Sequence, residues 1–289
     1  MTEPDASPIL VFQMAKVASR SWLRLLSQNF PDRTLAHFHA LSPRSVALIG
    51  HVVAAKGPEQ TIEHMSLPRL GRPPESIERY VSNGVWIGPP TQIVAGVRDP
   101  VARAVSVVGF LTNRLGHKSR AVTVRSGGTA ENLAALFFDV LRAAQDGADS
   151  ADTLIQVLAH AVFDYRRWFQ EELSPAFGLD ALSQPFRRET GYLRLDGRHR
   201  LFVYRVEDLM QPDASRLLMA GAADFFGREL GLAPMDDVSG EARYRALYGE
   251  FVKRVRLSPA DLDWFYDHPI VAHFYAPDEV AAFRRRWAA

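Results

Sequence analysis

The sequence predicts a mixed α/β protein: a three-layer α/β/α core around a central, mainly parallel sheet, with additional helices toward the C-terminus. Three observations carry this. Residues 9–15 form an apolar run bounded by turn residues, the pattern of a strand buried on both faces, and 91–97 reads as another buried strand. Each run is followed at once by helix-start chemistry, a hydroxyl-bearing turn after the first and Asp99-Pro100 after the second. Strands alternating with helices imply right-handed crossovers, and hence parallel pairing.

The elements follow in order. After the strand at 9–15, Ser19 or Ser21 is expected to cap a helix whose apolar face includes Trp22, Leu25 and Leu26. Residues 34–40 alternate enough for a second strand, and Ser42-Pro43 opens a helix with proline at its first position. A further helix is expected over 74–81, then the strand at 91–97 and a helix from Pro100 through Phe110. Residues 115–128 are polar, basic and end in glycine, which predicts a loop. Apolar spacing predicts helices over 130–145 and 151–172. Asp196-Gly197 between the runs 192–195 and 201–205 predicts a hairpin. Helices over 213–230, 242–254, 259–267 and 278–287 close the chain. No internal repeat or low-complexity linker interrupts it, so residues 1–289 read as one domain, with a core at 1–114 and an outer part at 115–289.

Composition narrows the function. At 289 residues the chain can bury a sizeable core, and 47% hydrophobic with 23% charged residues is ordinary globular composition. A formal net charge of +1 gives no bulk attraction for nucleic acid or an anionic membrane. The absence of cysteine excludes disulfides, cysteine-ligated zinc and thiol catalysis. No stretch is long and apolar enough for a signal peptide or a membrane span, so a soluble, cytoplasmic protein is expected. Only 4 of the 34 basic residues are lysine, which makes each lysine worth inspecting.

Two constellations bear chemistry. In Gln13-Met14-Ala15-Lys16-Val17-Ala18-Ser19-Arg20-Ser21-Trp22 a buried strand breaks into a short turn with a lysine and two hydroxyls, and a helix then begins. Backbone N–H groups at such a helix start attract anions, and Lys16 adds a point charge beside them. The Walker A pattern is absent, since no glycine occurs in this turn. In the second, Arg98 stands at the carboxyl end of a buried strand, where open α/β sheets bind ligands, and Ser106 follows about two helical turns later. Either segment alone also fits a plain turn with a solvated lysine, or an arginine paired with a carboxylate.

Together the segments resemble the sulfotransferase superfamily, whose donor is 3'-phosphoadenosine-5'-phosphosulfate. Lys16 through Trp22 is similar to that family's 5'-phosphosulfate loop, and Arg98-Asp99-Pro100 through Ser106 to its 3'-phosphate site. Their order and separation of about eighty residues suit the family, and Ala18 departs from it where relatives often have glycine. More weakly, Trp168-Phe169, Phe177-Gly178-Leu179-Asp180, Pro185-Phe186, Gly191-Tyr192 and His273-Phe274-Tyr275 resemble bacterial proteins of capsular polysaccharide synthesis.

The resemblance implies a P-loop-like core and a metal-independent sulfuryl transfer to a hydroxyl of a glycan or other carbohydrate-type acceptor. It implies that Lys16 neutralises the bridging oxygen, that Val17, Ala18, Ser19, Arg20, Ser21 and Trp22 form the 5'-phosphate loop, and that Arg98 and Ser106 hold the 3'-phosphate. A hydroxyl acceptor needs a general base, and histidine suits neutral pH. Of nine histidines, His37 and His39 lie two apart on an expected strand and so face one side, near its carboxyl end. They are the candidate bases, against the alternative of two structural histidines. The arginine- and lysine-bearing segment after the second constellation suits an anionic acceptor or simply a solvated loop. Trp168 and Phe169 read as core, and the tail ending in Trp287 as a charged helix face anchored by that tryptophan. Two rival functions stay open: a nucleotide-dependent phosphotransferase, and a non-catalytic nucleotide-binding protein of polysaccharide assembly.

Overall fold

The computed structural model describes residues 7–47, 80–116, 129–147, 153–231 and 242–289. The chain forms two compact units, each built from two stretches of sequence: Met1–Arg98 with Arg167–Met235, and Asp99–Arg166 with Asp236–Ala289. The expected seam at 114/115 is therefore not where compactness divides the chain. The division falls between Arg98, which ends a strand, and Asp99, which caps a helix.

The first unit holds a five-stranded sheet of β1 (Ile9–Phe12), β2 (Leu35–Phe38), β5 (Gln92–Val97), β6 (Tyr192–Leu195) and β7 (Arg200–Arg205), in the order β2-β1-β5-β7-β6. A two-stranded ribbon, β3 (Val81–Ser82) and β4 (Val85–Trp86), stands apart from it. All pairings in the large sheet are parallel except β6 on β7. The three central strands are buried on both faces for nearly their whole length, as their unbroken apolar runs predict. β1 lies between β2, which follows it in sequence, and β5, which arrives on its other side. The chain thus reverses its direction of winding between β1 and β5, and the crevice at the carboxyl ends of two such strands is where open sheets take ligands.

One face of this sheet is covered by α1 (Ser19–Asn29) and α7 (Pro212–Phe226). Ile9, Val11, Val94, Phe202 and Tyr204 point to that face and pack with Trp22, Leu25, Leu26, Leu218, Ala222 and Phe225. Each valine, leucine, isoleucine or phenylalanine among them contributes about 1.5–3 kcal/mol when fully buried. On the other face, Phe12 meets Trp168 and Phe177 at ring distances of 4.8 and 5.5 Å. With structure on both faces the unit is compatible with a three-layer α/β/α class. Trp168 and Phe169 are core residues, 1% and 2% exposed, as expected.

Between these lie short helical pieces. Residues 43–47 are helical and begin at proline as predicted. The segment before that helix is tied down by Glu172, whose buried carboxylate accepts from the Leu41 and Ser42 amides and from the Ser42 and Ser45 hydroxyls at 2.5–2.7 Å. The expected helix over 151–172 is broken: α4 (Thr153–Phe163) gives way to a 3-10 turn at Asp164–Arg166, then a π-turn at Phe169–Leu173 and α5 (Ser174–Phe177). The 192–205 hairpin forms, but its connection spans residues 196–199. Asp196 closes it by accepting from Arg194 at 2.8 Å and Arg200 at 2.9 Å. α6 (Val206–Leu209) then leads to α7, which ends at Phe226, four residues earlier than its apolar spacing suggests, because Gly227 adopts a left-handed φ of 68°.

The second unit is helical throughout its described residues: α2 (Pro100–Gly116), α3 (Ala130–Gln145), α4, α8 (Ala242–Arg254), α9 (Pro259–Tyr266), α10 (Pro269–Phe274) and α11 (Pro277–Trp287). Asp99 caps α2 as predicted, its Oδ1 accepting from the Val101 amide at 3.1 Å. The same buried carboxylate accepts from the Tyr266 hydroxyl at 2.7 Å and the Trp287 indole at 2.8 Å. Trp287 anchors the tail as expected, and α10 is a helix that its six residues were too few to signal. Of the helix predicted over 74–81, residues 74–79 lie outside the described residues, while Val81 belongs to β3. Residues 115–116 end α2, and 117–128, the rest of the predicted loop, also lie outside them. Among the described residues no helix is long and apolar enough to cross a membrane.

Candidate functional site

The first unit gathers most of the predicted residues at the carboxyl ends of β1, β2 and β5. The chain leaves β1 through Gln13 and enters α1 after Ala18. Two residues of this turn, Lys16 (φ 68°) and Ala18 (φ 64°), occupy the left-handed region without being glycine. That conformation costs an L-residue on the order of 1–2 kcal/mol. The strain sits at the carboxyl edge of the parallel sheet, where open sheets take ligands and irregular turns of this kind present backbone amides to anions. Ala18 itself is the residue flanking α1, and it offers no side-chain cap. The expected capping by Ser19 or Ser21 is therefore corrected: both lie inside the first turn of α1, half-buried beside Arg20.

The site's side chains divide by what they touch. Lys16, Ala18, Ser19, Arg20 and Ser21 are partly exposed. Val17 and Trp22 are not: Val17 is fully buried and Trp22 is 2% exposed, packed on Tyr204 at 5.1 Å and Phe202 at 5.9 Å. Trp22 thus packs into the core beneath the loop, and neither side chain is open to solvent. Arg98, half-buried at the end of β5, donates from Nη1 to the Lys16 carbonyl at 3.2 Å. It therefore braces the loop as well as presenting its charge. Ser106 belongs to the other unit, on α2, and is 8% exposed there.

His37 and His39 face the same side, as their spacing predicts, with ring centroids 4.4 Å apart in an edge-to-face arrangement. Their environments differ. His37 is 1% exposed, and neither ring nitrogen has a hydrogen-bond partner among the described residues. Burial holds its pKa well below 6.5, and the charge of Arg20, with that of His39 whenever that ring is protonated, pushes it the same way. His39 lies just past β2 and is half-buried. Its Nδ1 sits 2.8 Å from the Gln13 carbonyl oxygen. A carbonyl only accepts, so Nδ1 carries the proton and Nε2 is the lone-pair nitrogen of the neutral ring. The His39 carbonyl in turn accepts from the Trp168 indole at 2.7 Å, which fixes the backbone behind the ring.

Gln13, Gly96 and Tyr204 complete the site and were not among the expected functional residues. Gln13 is the lone polar side chain in its apolar run, and Gly96 an isolated glycine inside a strand, a known sign of close approach. Tyr204 carried no such signal, because a tyrosine in an apolar strand reads as core.

Comparison with protein-family models, with curated proteins and with solved structures returned no match.

Proposed function

We propose that this protein is a P-loop-like sulfotransferase, moving a sulfuryl group from 3'-phosphoadenosine-5'-phosphosulfate to a hydroxyl of a carbohydrate-type acceptor. One observation carries the reading: the strained, lysine-bearing turn after β1 begins at Gln13, the residue that also orients the His39 imidazole. An anion-binding turn and an oriented neutral base meet within one short stretch of backbone.

In this reading the donor supplies an activated sulfuryl group on a phosphate leaving group, so the chain's task is positioning and charge stabilisation. Ser19, Arg20, Ser21 and the amides of the first turn of α1 hold the 5'-phosphate. Lys16 offsets the charge that develops as the bond to the phosphate breaks. Arg98 holds the 3'-phosphate. His39 takes the acceptor's hydroxyl proton on Nε2, while its Nδ1–H stays on the Gln13 carbonyl. His37, buried and neutral, shares the base's pocket without carrying the proton. The protein acts in the cytoplasm.

The phosphotransferase rival would need a carboxylate for a cation, and Asp99 is the acidic residue next to Arg98. Its two oxygens are already engaged by the Val101 amide, the Tyr266 hydroxyl and the Trp287 indole. The reading is tested by incubating the protein with 35S-labelled donor or γ-32P-labelled ATP over a panel of oligosaccharides, with and without EDTA. Expected is EDTA-resistant transfer of 35S with release of 3',5'-adenosine bisphosphate. Transfer of 32P without 35S would overturn it in favour of a kinase, and transfer of neither label in favour of a non-catalytic role.

A further inference from the structure

We propose that Tyr204 and Gln13 are positioning residues: together they clamp the Val17 carbonyl and thereby hold Ala18 in the left-handed conformation that shapes the anion loop. The ligand-binding arm of the test rests on the donor-loop reading above; the clamp itself does not.

The geometry is specific. Tyr204 lies on β7, two strands from β1 in the sheet, and pairs in register with Gly96 on the intervening β5. Its ring crosses β5 at that glycine. A Cβ there would lie 2.6 Å from the ring carbon that bears the hydroxyl and 2.7 Å from the hydroxyl oxygen, so only glycine lets the tyrosine through. Beyond Gly96 the hydroxyl reaches the turn after β1, where its single proton is shared between the Val17 carbonyl, the nearer acceptor, and Gln13 Oε1 at 3.1 Å. Gln13 Nε2 donates to the same Val17 carbonyl at 3.3 Å. The Val17 carbonyl belongs to the peptide that joins Val17 to Ala18, so fixing it fixes the plane on which the left-handed φ of Ala18 depends, while the Lys16 carbonyl is held separately by Arg98.

All three members are sealed from water: Gln13, Val17 and Tyr204 are fully buried. Burial also pushes the Tyr204 phenol above its ordinary pKa, so it remains a donor across the physiological range. Gln13 adds a second connection, since its main-chain oxygen accepts from His39 Nδ1. One buried residue therefore holds the loop through its side chain and the base through its backbone.

The test uses Tyr204→Phe, which deletes one hydroxyl and keeps the ring packed on Trp22. Two readouts are taken: hydrogen exchange of the peptide spanning residues 13–22, and calorimetric affinity for 3',5'-adenosine bisphosphate. We expect faster exchange in that peptide, with α7 unchanged, and bisphosphate binding about 3- to 10-fold weaker, the scale of one neutral hydrogen bond. Adding Ala18→Gly should recover most of the lost affinity, because glycine enters the left-handed region without the cost that the clamp offsets. A merely structural role for Tyr204 would not respond to that second change. Unchanged exchange in the 13–22 peptide, or weakened binding that Ala18→Gly does not rescue, overturns the clamp. Faster exchange in a protein whose wild type does not bind the bisphosphate leaves the clamp standing and removes the donor reading instead. Should Tyr204→Phe not fold, Gln13→Met removes the other arm and is read by the same criteria.

Discussion

The Nδ1 atom of His39 lies 2.8 Å from the carbonyl oxygen of Gln13, the residue at which β1 passes into the strained turn. This bond selects the tautomer whose Nε2 can accept a proton, so His37 in β2 and His39 just past it are unequal in chemistry although their spacing makes them look alike. His39→Ala should lower the turnover rate about 10²–10⁴-fold, the range for a lost general base, with bisphosphate affinity nearly unchanged. His37→Leu should have a much smaller effect. If both single variants and the double variant keep full sulfate transfer, the base is another group.

Lys16→Ala should cut sulfate transfer by about 10²-fold or more, as expected when one donor to a developing oxyanion is lost. Alanine tolerates the φ of 68° no worse than lysine, so the loop keeps its shape and thermal stability should hold. Turnover near that of the wild type would remove Lys16 from the mechanism.

Arg98 is expected to distinguish ligands by their 3'-phosphate. A hydrogen bond to a charged partner contributes about 1.5–3 kcal/mol, so 3',5'-adenosine bisphosphate should bind about 10- to 100-fold more tightly than AMP. Arg98→Ala should collapse this preference. Because its Nη1 also braces the Lys16 carbonyl, AMP binding should weaken as well, by a few-fold rather than not at all. Equal wild-type affinities, measured by calorimetric titration, would defeat the donor assignment.

His37 predicts an acid-side loss of stability. Below about pH 6.5 an unfolded histidine takes up a proton that the folded, buried ring refuses. The unfolded state then binds more protons, and stability falls with pH by up to about 1.4 kcal/mol per unit for this one group. Above that pH the contribution is flat. His37→Leu should flatten the fall between pH 6.5 and 5 in urea titrations, leaving the slope from His199 and His268, which burial also holds low. A variant with an unaltered pH profile would show that His37 protonates freely in the folded state.

Asp99 organises the second unit. Asp99→Ala would leave the Tyr266 hydroxyl and the Trp287 indole without their buried acceptor. Each such orphan costs about 1–3 kcal/mol, so urea unfolding should report a loss of about 2–5 kcal/mol. A loss below about 1 kcal/mol would mean that other groups or water satisfy both donors.

The sequence by itself determined the alternation of strands and helices, the two buried parallel strands, the proline helix starts, the Asp99 cap and the shared face of His37 and His39. All of these are local: they follow from apolar period, from capping chemistry and from the two-residue repeat of a strand. It also pointed to the turn at 16–22 and to Arg98, because residues at the ends of parallel strands are where ligands bind. Only the tertiary structure decided the rest. That Ala18 is held left-handed depends on Tyr204, nearly two hundred residues away, crossing Gly96 to reach Val17. That the ring of His39 is oriented by a hydrogen bond while that of His37 is not depends on the Gln13 carbonyl, just past the neighbouring strand. The helix expected over 151–172 broke at the boundary between the two compact units, where each half packs with its own partners. Contacts between residues distant in sequence leave no periodicity and no fixed spacing, so their consequences become visible only when the chain is folded.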